Sequence, residues 1–410
     1  MNPPHASSSA PPPAPPRPPG LPRTIDEIDA AEYATQTGED LARTLDLDTW
    51  SDGADLPQSM ERLEQEIAEA EELETDAGRR TRQHLLPRIR ERGLPGAGVF
   101  KATRPQLERV QTHTLLCGGV EAADGVTVVH DTLPLTVAQV GVCLAGYAGS
   151  QGQWTHRMYR RDLRARGADP VEEAMALIER RHSRAGLNRP GNPRDPMNEL
   201  LRRGVMTFAE RSVLLNKSTR PWRMGHGHPV PYELISRAGH MGLLKASIEL
   251  LYDLIVEHKR FVFVPSEPGE LGLLTIGEAL HPGEFAVIET AEERLSFAVD
   301  SSHLRSPFRE MAEDFVHAVG PKIYVGVYRT FADVPPQLFY AHRDHAHEAA
   351  LIAMADSLVQ PHRNFPALID LADIACRGLF GAEGFHGAVE SAYARRGRPL
   401  QYLSERATRG

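Results

Sequence analysis

The chain has 410 residues, 41% hydrophobic and 25% charged, which is ordinary globular composition. Three cysteines, none in a C-x-x-C pair, exclude a disulfide scaffold and a cysteine-built zinc site. Every apolar run falls short of 18 residues and residues 1–23 hold no apolar signal core, so no membrane span and a cytoplasmic location are expected. A net charge of −9 argues against a uniformly basic nucleic-acid coat, yet the charge is unevenly spread.

Residues 1–23 contain ten prolines and almost nothing to bury, the pattern of a disordered tail. A helical region over 24–95 follows. In it Met60, Leu63, Ile67, Ala70, Leu73 and Ala77 recur at helical spacing among glutamates. Gly78 interrupts this stripe, and the arginine-rich stretch beyond it reaches the LPGAG turn at 94–98. Acidic and basic halves suit a helical hairpin or a short coiled coil with oligomer or partner contacts.

From residue 96 to 410 the pattern is that of an α/β domain. Val126–Val129 is a β-branched run ending in His130-Asp131. Val137–Tyr147 and Gln153–Arg161 continue it as an antiparallel meander joined by short turns. The segment 155–224 carries sixteen Lys or Arg against eight Asp or Glu, a basic insertion in an acidic protein. Trp154, Arg157, Arg160, Arg161 and Arg164 lead it. Charges tracking phosphates and rings stacking on bases suit DNA, while a solvated arginine-rich face is the plainer alternative.

Leu234–His258 is a helical pattern with a buried stripe of Leu244, Ile248, Leu251 and Ile255. It feeds the wholly apolar Phe261–Val264, the mark of an interior parallel strand. Strands at Phe285–Glu289, Lys322–Phe331 and Gln337–Tyr340 and three closing helices near 345–359, 365–379 and 385–395 complete a mixed sheet of five to six strands flanked by helices.

Acids at strand ends and on a helix suit two hard divalent cations, Mg²⁺ or Mn²⁺, in phosphodiester cleavage. Asp131 stops a β-run, and Glu267 lies just past Phe261–Val264. A strand of about six residues spans ~20 Å, a length the preceding helix recovers in roughly 13 residues. Counting back from His258 selects Glu249 first and Glu233 second. Asp370 and Asp373 come from the closing helices. Each acid also has a structural alternative, such as a turn before Pro134 or a surface pair with Lys245. The run from His342 to Glu348, with His345 and His347, instead suits a zinc hydrolase, with His226 and His228 adding two more imidazoles, though it lacks H-E-x-x-H spacing.

Taken together, the Val126–Asp131 strand, the helix entering Phe261–Val264, and the succession KIYVGVYRTF, QLFYAHRD, helix and FPALIDLADIA resemble the NurA nucleases over about 120–380. That resemblance implies a ribonuclease-H-like core, a dimer, and DNA-end processing or defence beside a HerA-type hexameric ATPase. It implies metal ligation by Asp131, Glu249 or Glu233, Glu267 and Asp373. The chain departs from the family pattern in three places. Asp131 is followed by Thr132-Leu133 where Asp-Gly-Ser is usual, Pro265-Ser266-Glu267 stands where an Asp is usual, and Asp373 replaces a histidine. A nuclease-fold DNA-binding adaptor with a decayed site is the alternative those departures imply.

Overall fold

The computed structural model describes residues 27–50, 56–91, 93–132, 134–149, 152–161, 199–236, 241–267, 270–302 and 304–402, with Val171, Met175 and Ile178. The proline-rich 1–23 segment, Arg164 and most of the basic insertion lie outside the described residues. Two compact units divide the chain at Glu74 and Thr75.

In the first unit, α1 (Glu27–Thr37) and α2 (Leu41–Leu45) are short. The Asp40 carboxylate accepts the Ala42 N–H at 2.9 Å and so caps α2. Helix α3 (Leu56–His84) begins in this unit and ends in the second. It runs straight through Gly78 rather than folding into the expected hairpin. A lone glycine lowers helix propensity by only about 1 kcal/mol, too little to end 29 residues of otherwise good helix formers.

The second unit is built on one nine-stranded mixed sheet, not five to six strands. Its strands are β1 (Gly98–Lys101), β2 (Val120–Asp131), β3 (Leu135–Ala145), β4 (Gly152–Arg161), β5 (Trp222–His226), β6 (Phe261–Val264), β7 (Glu284–Thr290), β8 (Ile323–Arg329) and β9 (Gln337–His342). The spatial order is β1-β7-β8-β9-β6-β5-β2-β3-β4. The meander β2-β3-β4 is antiparallel as expected, and β5 runs parallel to both β2 and β6. Strands β1 and β5 are not expected from sequence because GVFK and WRMGH are short and lack two-residue alternation. Pairing and burial by neighbours make them strands.

Helices cover both faces: α4 (Arg104–Val110), α5 (Glu199–Asn216), α6 (Met241–Tyr252, continued by a π-helical stretch Asp253–His258), α7 (Leu271–Glu278), α8 (Glu292–Asp300), α9 (Phe308–Val319), α10 (Ala346–Ser357), α11 (Ala367–Phe380) and α12 (Ala382–Arg395). Alternation along β6 sends Phe261 and Phe263 into one core with Leu214, Leu251 and Ile255. Val262 and Val264 enter the other, with Met224, Leu368 and Ile369. Each such side chain, fully buried, contributes roughly 1.5–3 kcal/mol. No described helix is long and apolar enough to cross a membrane.

Two local devices fix the elements around the site. At β3, a Cβ on Gly141 would lie 2.4 Å from the Phe380 ring, so glycine lets α11 settle on the sheet while Gln139 Nε2 donates to the Phe380 carbonyl at 3.0 Å. Before α11, Asn364 takes a φ of +50°. Its buried side chain accepts the Thr330 N–H at 3.2 Å and donates to the Pro335 carbonyl at 2.9 Å. That staple holds the next residue, Phe365, against the end of β5.

Candidate functional site

Strand β2 shares a ladder with β5 only from Val120 to Ala123, where Ala123 faces Gly225. Asp124 and His226 are the next residues on each strand, and their side chains meet: His226 Nδ1 lies 3.6 Å from Asp124 Oδ1. Asp124 is buried, and its Oδ1 accepts the Gly125 N–H at 2.8 Å. The contact with Asp124 outweighs burial and raises the His226 pKa above its usual value. The second ring nitrogen, Nε2, lies 2.9 Å from Ser266 Oγ, and the Phe365 ring stands edge-on at 6.2 Å.

From the other side of the sheet, α5 delivers Glu210 and Arg211. A Cβ on Gly125 would fall 2.6 Å from Glu210 Oε1, so only glycine on β2 permits the carboxylate to lie there. The Asp-Gly pair therefore does two jobs, presenting an acid on one face and opening space for a second on the other. Glu210 and Arg211 form a buried ion pair. Burial pushes the Glu210 pKa up to about 7 despite the guanidinium, with the Asp124 charge adding to the rise. Arg211 also donates to the His226 carbonyl at 3.1 Å and the His228 carbonyl at 2.7 Å, and its guanidinium lies 5.1 Å over the Phe263 ring. His228 is half-buried, accepts the Val230 N–H at 2.9 Å, and is pushed down to about 3 by desolvation, so it is neutral.

Helix α11 closes the third side. Its Asp373 pairs with Arg377, whose charge is felt at Asp124. Cys376 hydrogen-bonds Cys143 of β3, and that bond together with burial keeps Cys376 a thiol. Arg363 pairs with Asp370 and lies over the Phe365 ring at 5.8 Å.

Against this cluster, the acids expected from sequence fall into two groups. Asp131 stands opposite Thr136, seven residues beyond Asp124 and so roughly 23 Å further along β2. The cause is strand length. The sequence pattern opens the strand at Val126, whereas Ala122-Ala123-Asp124-Gly125 are already paired with β3. Glu249 is exposed on α6 and shares no described contact with Asp124, Glu210 or His226. The count of about 1.5 Å per residue assumes a regular α-helix up to His258, whereas Asp253–His258 is π-helical. Glu233 is buried but paired with Arg203 at 2.7 Å. The Glu233 charge is also felt at Arg211, Asp373 is tied to the cluster through Arg377, and Glu267 follows Ser266 in the chain.

The histidine run separates as well. His342 Nδ1 accepts the Asp344 N–H at 3.1 Å, His345 Nδ1 meets Glu348 at 3.2 Å, and His347 Nε2 meets the Gly96 carbonyl at 3.1 Å. Among the described residues no three His, Cys, Asp or Glu side chains form a metal-binding group. The donor chemistry of the cluster explains this for hard cations. Glu210 is already neutralised by Arg211, the β5 position offers an imidazole, and Asp124 is the cluster's one buried carboxylate without a described guanidinium partner. Two Mg²⁺ or Mn²⁺ ions need more oxygen ligands than that. The set does not fit a two-ion centre.

Sequence reasoning missed Asp124 and Glu210, took His226 only as an extra imidazole beside the histidine run, and gave Ser266 no role of its own. Asp124-Gly125 carried a usable signal, since it supplies the first two residues of the Asp-Gly-Ser expected at the opening strand. His226 was visible as one of the His226-Gly227-His228 pair, but nothing local marks it or Glu210 as a neighbour of Asp124.

Fold and cluster together define a mixed-sheet α/β protein with a charged centre where parallel strands β5 and β6 end. Among solved structures, that plan is similar to the NurA nuclease from Sulfolobus solfataricus, at 10% identity and a TM-score of 0.44, covering 84% of this chain and 99% of that one. It is also similar to NurA bound to dAMP and manganese, at 11% identity and a TM-score of 0.33, covering 80% and 95%. Endonuclease V from Bacillus subtilis follows at 9% identity and a TM-score of 0.31, covering 69% and 91%. No family model matches the chain. No curated protein matches it either.

Proposed function

We propose that this chain is a nuclease-type protein acting on DNA, with Asp124, Glu210 and His226 as its centre in place of the set around Asp131. One observation carries the reading. A buried carboxylate, a second carboxyl pushed up to about 7 and an imidazole raised above its usual value converge where parallel strands end. Burial and specific charge partners that move pKa values toward neutrality are what acid–base catalysis at a phosphodiester requires. His226 is the proton acceptor, Asp124 orients it, and Glu210 with Arg211 sets the charge beneath them. Trp154, Arg157, Arg160 and Arg161 on β4 would guide the strand; Arg157 Nε is fixed by Gln139 at 2.7 Å.

The test is degradation of labelled linear DNA by the purified protein with Mn²⁺ supplied. Asp124→Asn is expected to lose at least 100-fold in rate, in line with the usual contribution of acid–base groups. Asp131→Asn is expected to match the parent. Full activity in Asp124→Asn, or its loss in Asp131→Asn, refutes the assignment. A HerA-type hexameric ATPase and a second copy of the chain belong to the same proposal; co-purification and sedimentation test them.

A second reading is favoured by the Arg211 guanidinium, which occupies the charge that a metal would otherwise meet. In it the chain binds DNA without cutting it. Metal-independent DNA binding with no cleavage under any condition would select this reading.

A further inference from the structure

Ser266 lies two residues past β6. In the parallel pairing of β5 with β6, His226 faces Val264, and the Gly227 N–H donates to the Val264 carbonyl at 3.0 Å. The backbone that turns after Pro265 is thereby laid over the His226 ring. The result is a hydroxyl, an imidazole and a carboxylate in line: Ser266 Oγ at 2.9 Å from Nε2, and Asp124 Oδ1 at 3.6 Å from Nδ1. The members come from three neighbouring strands: Asp124 from within β2 just past its ladder with β5, His226 from the end of β5, and Ser266 from just beyond β6. Asp124 is fixed by the Gly125 N–H, the His226 carbonyl by Arg211, and the ring by Phe365. Ser266 itself is exposed, so solvent and substrate reach it. This is the order that activates a weak hydroxyl nucleophile, and such relays are commonly looser before substrate binds.

We propose that Ser266 is the nucleophile of a Ser266–His226–Asp124 relay that cleaves phosphodiesters without a metal. The proposal rests on the nuclease-type reading of the same centre and names its chemistry. Ser266 Oγ forms a bond to phosphorus while its proton passes to His226 Nε2. The bond from phosphorus to the departing sugar oxygen breaks, and that oxygen takes the proton from His226. Water then attacks the phosphoserine, gives a proton to His226, and the serine oxygen leaves and recovers it. The sum is one water added across one phosphodiester, with no oxidant or reductant. Asp124 keeps the Nδ1–H tautomer and stabilises the imidazolium.

The experiment uses the full chain, end-labelled DNA in EDTA, and a fluorophosphonate as an independent phosphorus electrophile. A protein–DNA adduct or fluorophosphonate label mapped to Ser266, absent in Ser266→Ala and reduced at least 100-fold in His226→Gln, is the expected result. Cleavage that is lost in EDTA and unchanged in Ser266→Ala overturns the relay and leaves the nuclease reading standing. Fluorophosphonate labelling of Ser266 without any DNA cleavage overturns the phosphodiester substrate and the nuclease reading together. Neither adduct nor label at Ser266 overturns the relay outright. Because Ser266 is exposed and outside any strand, Ser266→Ala should fold as the parent does, which a thermal melt checks.

Discussion

Replacing Arg211 by Met would strip Glu210 of its counter-charge in a place where water does not compensate. The two side chains are only 2% and 5% exposed. Removing one partner of a buried pair typically costs about 3–5 kcal/mol. Arg211 also satisfies the His226 and His228 carbonyls, so the upper half of that range is expected. Against a typical domain stability of about 5–15 kcal/mol, the variant should fold but unfold at much lower denaturant. The sign of its pH dependence follows from Glu210, whose pKa is raised on folding by burial. A raised acid contributes stability that is full below its unfolded value and lost as pH rises through the folded value. Without Arg211 the rise is larger, so the deficit of Arg211→Met should be smaller at pH 5.5 than at pH 8.5. Adding Glu210→Gln removes the charge and with it that pH dependence, and should recover part of the loss. Urea unfolding of the parent, single and double variants at both pH values decides the matter. A deficit equal at the two pH values, or no recovery in the double variant, would refute the claim that Arg211 neutralises Glu210.

Two further outcomes can be measured directly. Asp356, buried on α10, accepts the Tyr147 hydroxyl at 2.6 Å and the Leu368 N–H at 2.8 Å, yet burial pushes it up to about 6 from 3.8. That difference corresponds to about 3 kcal/mol of stability present at low pH and lost as pH rises between those values. The stability of Asp356→Asn relative to the parent should therefore climb between pH 4 and 6.5 and then level off; a flat difference across that range contradicts the argument. On β4, changing Arg157 and Arg160 together to Gln should lower DNA affinity and reduce the salt slope by about 0.9 for each phosphate that is no longer neutralised. An unchanged slope in a binding titration against salt would remove β4 from the DNA path.

How much of this is legible in the sequence can be judged residue by residue. Long elements with clear periodicity are legible: the β2-β3-β4 meander, the helix before β6 and the three closing helices, while the four residues of β6 are legible through their unbroken apolar run. Their patterns record which face is buried, and burial decides a long element. Short strands such as GVFK and WRMGH are invisible because their pairing partners, not their own residues, make them strands. The distance of Asp131 from the cluster has the same root, since the β-branched run opens at Val126 while pairing with β3 carries the strand back through Asp124.

The amino-acid order alone thus determined the layer architecture, the acidic and basic partition, and the presence of acids beside strand ends. Only the tertiary structure decided which side chains meet. His226 is about a hundred residues from Asp124, and Ser266 is forty further on. The parallel register of β2, β5 and β6 brings them within reach, and that register follows from two cores packing on opposite faces of one sheet. No local pattern encodes such a meeting, because the contacts that enforce it are spread over the whole fold.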